Sequence, residues 1–266
     1  MSQVKQVALV SGSSRGIGAA TARVLGERGY HVIVNYLSNA AAAKKVVSAI
    51  TSAGGSAQAI QADVRNGDQV RDLVDQIVRE HGRIDVLICN ANTAPPTFEP
   101  FEEVAWGSFI AKFDGELAGA FHLTQRVLPI LRERRAGRIV YISSISGDVS
   151  AGQVAHSTAK SALNRFSRHV AAFAGQFGIS VNTVAPGSVA TDSSATVNSP
   201  EILQYLAERS VFARQMVPDD VANVIASIVD VRFAAVTGQI ITVDAGMDVL
   251  GQQHTFVSKR KPLERD

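Results

Sequence analysis

The stretch "QVALVSGSSRGIG", residues 6–18, decides how the rest of the chain is read. Residues 6–12, with the apolar run Val7-Ala8-Leu9-Val10 at their centre, read as a buried strand, and a helical pattern runs from about Ile17 to Arg28. Between them Gly12, Gly16 and Gly18 are spaced G-x-x-x-G-x-G. Glycine lets such a turn take positive φ and lets backbone amides come close to a pyrophosphate. The helix that opens there offers free N–H groups and a partial positive charge. Ser14, Arg15 and Ile17 belong to the same turn. A glycine trio can also arise from tight strand–helix packing with no ligand. Its position between a first strand and a first helix is what points to a dinucleotide.

The same alternation continues outward. "HVIVNY" (31–36) reads as a second strand and "AAAKKVVSAITSAG" (41–54) as a helix; "AQAIQADV" (57–64) is a third strand, followed by a helix over 67–81. "IDVLICN" (84–90) is a fourth strand, and a long helix runs from about Trp106 to Arg134. "GRIVYISS" (137–144), a helix near 155–177, "ISVNTVAPG" (179–187), a helix near 218–230 and "GQIITVD" (238–244) complete the series. Strands alternating with helices imply βαβ units. The expected fold class is α/β: a single Rossmann-type doubly wound domain, with a parallel seven-stranded sheet, helices on both faces and right-handed crossovers. It spans residues 1–250, and a polar, basic tail covers 251–266. Two segments interrupt the rhythm, "NANTAPPTFEPFEE" (90–103) and "SVATDSSATVNSPE" (188–201). Both follow strands, where open parallel sheets bind ligands, and the second reads as a lid.

Composition narrows the class. An apolar content of 46% fills a sizeable core, and no run of eighteen apolar residues exists to span a membrane. The N-terminus lacks a signal-peptide pattern and Cys89 has no second cysteine to pair with, so a cytoplasmic location is expected. The net charge of +2 resides in the tail, which leaves the body neutral and without a nucleic-acid groove.

Cofactor choice follows from charge. A carboxylate after the second strand would bind a ribose 2′-hydroxyl and repel a 2′-phosphate. Asn35, Tyr36, Leu37, Ser38 and Asn39 stand there with no acid, and Arg15 is within reach of a phosphate. NADP(H) is therefore expected, with Asn35 and Tyr36 near its adenosine end. Asp63 and Val64 end the third strand, placed to flank the adenine; the plain alternative for Asp63 is a loop residue that caps nearby amides.

Taken together, "SGSSRGIG", "ADV", "GRIVYISS", "VNTVAPGSVATD" and "TGQIITVDAG" resemble the short-chain dehydrogenase/reductase family over residues 4–247, most of all its 3-oxoacyl carrier-protein reductase branch. The resemblance implies cofactor contacts at Gly12, Arg15, Ile17, Gly18, Asp63, Val64, Asn90, Ala91, Lys160, Pro186, Gly187, Val189 and Thr191. It also implies a homo-oligomer, dimer or tetramer, built on the helix after His156 and the long helix before it. Leu163, Phe166, Val170, Phe173 and Phe177 form an apolar stripe on that helix, which by itself reads as core.

The family's catalytic set is Asn, Ser, Tyr and Lys. Carried onto this chain, the serine is Ser144 and the lysine Lys160, but the tyrosine position holds His156 and the asparagine position, in "ELAGAF", holds Glu116. The family's "NNAG" reads Cys89-Asn90-Ala91-Asn92. Histidine also serves as a general acid or base, with an intrinsic pKa of about 6.5. Cationic Lys160 opposes its protonation, and Glu116, if it reaches the site, opposes that effect in turn. Each such pair is worth up to about 4 kcal/mol at ~4 Å and an effective dielectric near 20. A Glu–His–Lys cluster is thus expected to keep a usable proton on the imidazole. The bland alternatives are a Glu116 that serves only through its backbone carbonyl and a His156 that is an inert polar occupant. Tyr205, in the presumed lid, is the one tyrosine placed to substitute as donor.

The sequence therefore predicts an NADP(H)-dependent oxidoreductase that interconverts a carbonyl and an alcohol on a small-molecule or acyl-type substrate, with an atypical catalytic set and no metal. An NADP-binding subunit without turnover, or a non-redox isomerase or dehydratase with His156 as base, are the other classes it allows.

Overall fold

A computed structural model describes residues 5–92, 99–148, 153–191 and 200–249. Seven strands form one parallel sheet in the order β3-β2-β1-β4-β5-β6-β7. They are β1 Val7–Val10, β2 His31–Tyr36, β3 Ser56–Gln61, β4 Val86–Cys89, β5 Gly137–Ile142, β6 Ile179–Pro186 and β7 Ile240–Val243. The order reverses between β1 and β4, which opens a crevice at their carboxyl ends. Every residue of β1, β4 and β6 is buried, as expected for strands covered on both faces.

The helices are α1 Gly16–Glu27, α2 Ala40–Ser52, α3 Gly67–His81, α4 Trp106–Arg134, α5 Val154–Ala174, α6 Pro200–Glu208 and α7 Pro218–Ile228. One core layer joins α3, α4 and α5 to the sheet through Leu73, Ile77, Leu123, Val127, Leu163 and Val170. The other joins α1, α2 and α7 through Leu25, Val46, Val221 and Ile225. α2 and α3 are capped by Asn39 and Asn66, whose side chains accept from amides of the first turn. α1 has no side-chain cap at Arg15, so its first amides keep no such partner.

Two expectations change. β3 ends at Gln61 rather than Val64 because the Asn35 side-chain amide takes the Ala62 carbonyl at 3.1 Å and turns the chain out of the sheet. The stripe on α5 is not wholly core: Leu163 and Val170 are buried, but Phe173 is 49% exposed. The 3/4 spacing drifts around the helix, and Phe177 lies beyond it, where the Arg132 guanidinium sits 5.7 Å from its ring centroid. Most of the presumed lid (192–199) and the tail (251–266) lie outside the described residues. Among those described, no helix is long and apolar enough to cross a membrane.

Candidate active site

At the switch point the glycine turn is ordered entirely by neutral groups. Gly12 and Gly16 have φ of 60° and 58°. A Cβ on Gly12 would lie 2.8 Å from the Ala91 Cα, and one on Gly18 2.5 Å from the Asn90 Nδ2. The Ser11 hydroxyl accepts from the amides of Asn90 and Ala91 at 2.9 and 3.1 Å. The Asn90 side chain donates to the carbonyls of Ser11 and Gly12 at 2.9 and 3.1 Å. Asn35, buried, accepts from the Gly12 amide at 3.3 Å. Asn35 and Asn90, expected beside a cofactor, have side chains that hold the turn, because each amide needs partners that the backbone there supplies.

The other expected contact residues surround this turn. Ser14 and Ile17 are half-buried in it, and Arg15 is exposed with no ion pair among the described residues. Thr191 closes over Gly16, 3.5 Å from where its Cβ would be. Pro186 ends β6, Gly187 packs on Asp244, and buried Val189 bridges to Met216. Tyr36 packs at its strand end against the α1–α2 layer. Asp63 is engaged by Arg65 at 2.7 and 3.0 Å, and this pairing holds its carboxyl below the usual range. Val64 points into the core beneath Gly119, which leaves its backbone as the part able to meet a ligand.

Across the crevice the site is ordered by charge. Glu116 on α4 is buried, and its Oε1 lies 2.6 Å from the Lys112 Nζ. Its Oε2 lies 2.6 Å from the Lys160 Nζ. Lys160, on α5, also donates to the Ile142 carbonyl at 3.0 Å, and Lys112 donates to the Asn92 Oδ1 at 3.0 Å. Burial would raise the Glu116 carboxyl, but the Lys160 and Lys112 ammonium groups outweigh it and hold the carboxyl below its usual range. Burial pushes the Lys112 ammonium down, against the pull of Glu116. A cavity of about 10 Å³, lined by Glu116, Ser11, Ala91 and Ile142, separates this cluster from the glycine turn. It has room for one water.

His156 lies one turn before Lys160 on α5, half-buried, and its Nδ1 is buried with no hydrogen-bond partner. Burial pushes the imidazole down to about 4; the Lys160 and Lys112 cations add to this, and Glu116 opposes it. The expected proton on the imidazole is therefore absent at neutral pH. Burial is the main reason and Lys160 the next; Lys112, a second ammonium that the sequence reading left out, adds to both. The i, i+4 spacing of Lys112 and Glu116 was the available signal. Ser144 follows β5, and its hydroxyl pairs with Ser146, donating to the Oγ at 3.1 Å and accepting from the amide at 3.2 Å. The loop that carries it is pressed on α5: the Ser161 hydroxyl donates to the Gly147 carbonyl, and the Ser143 hydroxyl to the Lys160 carbonyl.

No described tyrosine replaces the missing phenol. Tyr205 is 55% exposed, its hydroxyl accepts from Arg209 at 2.6 Å, and that guanidinium covers its ring. Tyr141 is fully buried against Thr124, 2.6 Å between hydroxyls. Among the described residues no group of three or more His, Cys, Asp or Glu could hold a metal.

A seven-stranded parallel sheet with a glycine turn at its switch point and a buried lysine facing it defines a nucleotide-binding oxidoreductase scaffold. The chain belongs to the short-chain dehydrogenase/reductase family: residues 12–248 match the family model described as enoyl-(acyl carrier protein) reductase. It is 38% identical to the 3-oxoacyl-(acyl-carrier-protein) reductase of Synechocystis over 244 residues, 91% of this chain and 96% of that one. It is 34% identical to the reductase of the same name from Staphylococcus aureus over 242 residues, 90% of this chain and 97% of that one. Among solved structures it resembles a 7α-hydroxysteroid dehydrogenase complexed with NADH and 7-oxo glycochenodeoxycholic acid, with a TM-score of 0.86, 29% identity and coverage of 91% and 94%.

Proposed function

We propose that this short-chain dehydrogenase/reductase is an NADP(H)-dependent oxidoreductase that interconverts a carbonyl and an alcohol on a small-molecule or acyl-type substrate, with His156 in the tyrosine's place. The observation that carries this reading is the uncharged His156 imidazole, its buried Nδ1 unpartnered, one helical turn before Lys160. A buried ring nitrogen left without a partner costs about 1–3 kcal/mol, a cost that a hydrogen-bonding ligand or water would relieve. The similarity to two 3-oxoacyl reductases supports the substrate class. Arg15, exposed and without an ion pair among the described residues, beside a crevice with no acid after β2, supports the 2′-phosphate.

The glycine turn would hold a nicotinamide dinucleotide, which would supply or accept the hydride. Ser144 would hydrogen-bond the substrate oxygen, and Lys160 would hold the cofactor ribose. In oxidation His156 takes the hydroxyl proton as the C–H bond yields hydride and the carbonyl forms; in reduction it returns that proton. Oxidation needs the free imidazole, so its kcat/KM holds from neutral pH downward and falls as pH drops through about 4. Reduction needs the imidazolium and rises over the same interval. His156→Ala lowers turnover by about 10²–10⁴ with cofactor affinity retained. A fully active His156→Ala enzyme would overturn the reading. Turnover with no change in nicotinamide absorbance would move the protein to the isomerase or dehydratase class.

The reading includes a homo-oligomer, dimer or tetramer. Ile110, Phe113, Leu117, Phe121 and Phe166 line a groove of about 480 Å³ between α4 and α5, and Phe121 is 48% exposed. An exposed apolar groove of this kind supports a subunit interface. A monomer by light scattering at micromolar concentration would refute it.

A further inference from the structure

Two positions at which the chain departs from the family pattern, Asn92 and Glu116, are not independent. With Lys112 between them they form one line into the site: Asn92 Oδ1 to Lys112 Nζ at 3.0 Å, Lys112 to Glu116 at 2.6 Å, Glu116 to Lys160 at 2.6 Å. The side chains of Lys112 and Glu116 are each 1% exposed, and that of Lys160 6%. One carboxylate meets two ammonium groups, so these three side chains sum to +1. A positive charge held beside a reacting oxygen favours the anionic form of that oxygen. The reacting oxygen turns anionic as its proton leaves.

We propose that Lys112 is a positioning residue of this site: it holds Glu116 as a two-sided bridge, which anchors Lys160 and keeps one positive charge beside His156 for the oxygen that loses its proton. This rests on the roles proposed above for His156 and Lys160. The charged groups that act on the imidazole are Lys160 of its own helix and Lys112 and Glu116 of α4. Asp148, on the loop after β5, accepts from Asn164 at 3.5 Å.

The test is an NMR titration of the His156 imidazole in the full-length chain without cofactor, its signal assigned by loss in His156→Gln. Lys112→Met makes the cluster neutral and should raise the imidazole pKa by about one unit. Glu116→Gln should lower it. The double variant Lys112→Met/Glu116→Leu restores the net charge of the native cluster and should return the pKa to the native value, and Lys112→Arg should leave it there. A purely structural lysine would not produce shifts of opposite sign that cancel in the double variant. The double variant also frees Lys160 from its anchor, so its dissociation constant for NADPH should rise about tenfold by fluorescence titration. Should the single variants not fold, the double variant alone decides, because replacing a buried ion pair by apolar groups is tolerated. An imidazole unmoved or lowered in Lys112→Met, or native NADPH affinity in the double variant, overturns the proposal. A native protein that binds NADPH yet loses nothing in His156→Ala would remove the proposed proton transfer and leave the titration order intact, so the two failures are distinguishable.

Discussion

The glycine turn and the Glu116 cluster face each other across one crevice and are ordered by opposite means. At the turn, Ser11, Asn35 and Asn90 fix the backbone through neutral hydrogen bonds, and the close approaches are made by glycine. At the cluster, three buried charges fix one another. Neutral networks lose about 1 kcal/mol per bond removed, whereas a buried charge stripped of its partner costs several times more. The first arrangement shapes a surface for a ligand. The second stores a field that adds to burial in lowering the protonation of His156. The contrast predicts which end of the crevice is fragile.

The largest expected effect is at the charged end. Glu116→Ala leaves the Lys112 and Lys160 ammonium groups buried without their carboxylate and should cost about 3–5 kcal/mol in urea unfolding. A loss below about 1 kcal/mol would mean that the cluster is not the rigid centre described above. At the neutral end, Gly18→Ala puts a methyl 2.5 Å from Asn90 Nδ2 and 2.6 Å from the Gly12 carbonyl oxygen. About 1–3 kcal/mol of stability should go, and NADPH affinity with it. Wild-type affinity in this variant would break the claim that the turn is closely packed for function.

Acid should act through the charged end and through one site remote from it. His156 is held down to about 4, and His31, half-buried against His81, is likewise lowered to about 4 by burial. Unfolded, both titrate near 6.5. Between about pH 6.5 and 4 the unfolded chain binds more protons, so stability falls as pH falls through that window and levels off below it. With partial exposure discounted, about 1–2 kcal/mol per histidine is expected. His156→Gln should remove one share of the slope and His31→Gln the other. Arg15→Ala should narrow the preference for NADPH over NADH by about 1 kcal/mol, a little under tenfold. Equal dissociation constants in the wild type would sink the NADP(H) assignment. Smallest is Asp219→Asn, which breaks the exposed Arg23 pair between α1 and α7 at 2.8 Å and should cost under about 1 kcal/mol.

Legibility differed between the two ends for a physical reason. The strand–helix rhythm was readable because hydrophobic periodicity is local, and α4 runs from Trp106 to Arg134 as the pattern predicts. Glycine spacing carried the turn because positive φ at Gly12 and Gly16 is a property of single residues. The bonds of Asn35 and Asn90 to the turn were not legible, since a side-chain amide looks the same in the sequence whether it meets ligand or backbone. β3 was drawn too long because no local signal marks the Asn35 bond that ends it.

By itself the sequence determined the doubly wound scaffold, the glycine turn, and the unusual residues His156 and Glu116 at positions where the family carries tyrosine and asparagine. Only the tertiary structure decided what those residues do to one another. Glu116 meets Lys160 because α4 and α5 pack side by side, and Lys112 joins them because it lies one turn before Glu116 on a buried face. The charge of His156 then follows from three neighbours on two helices and from burial. Electrostatic energies depend on distance and on the surrounding dielectric, and neither exists until the helices are in place.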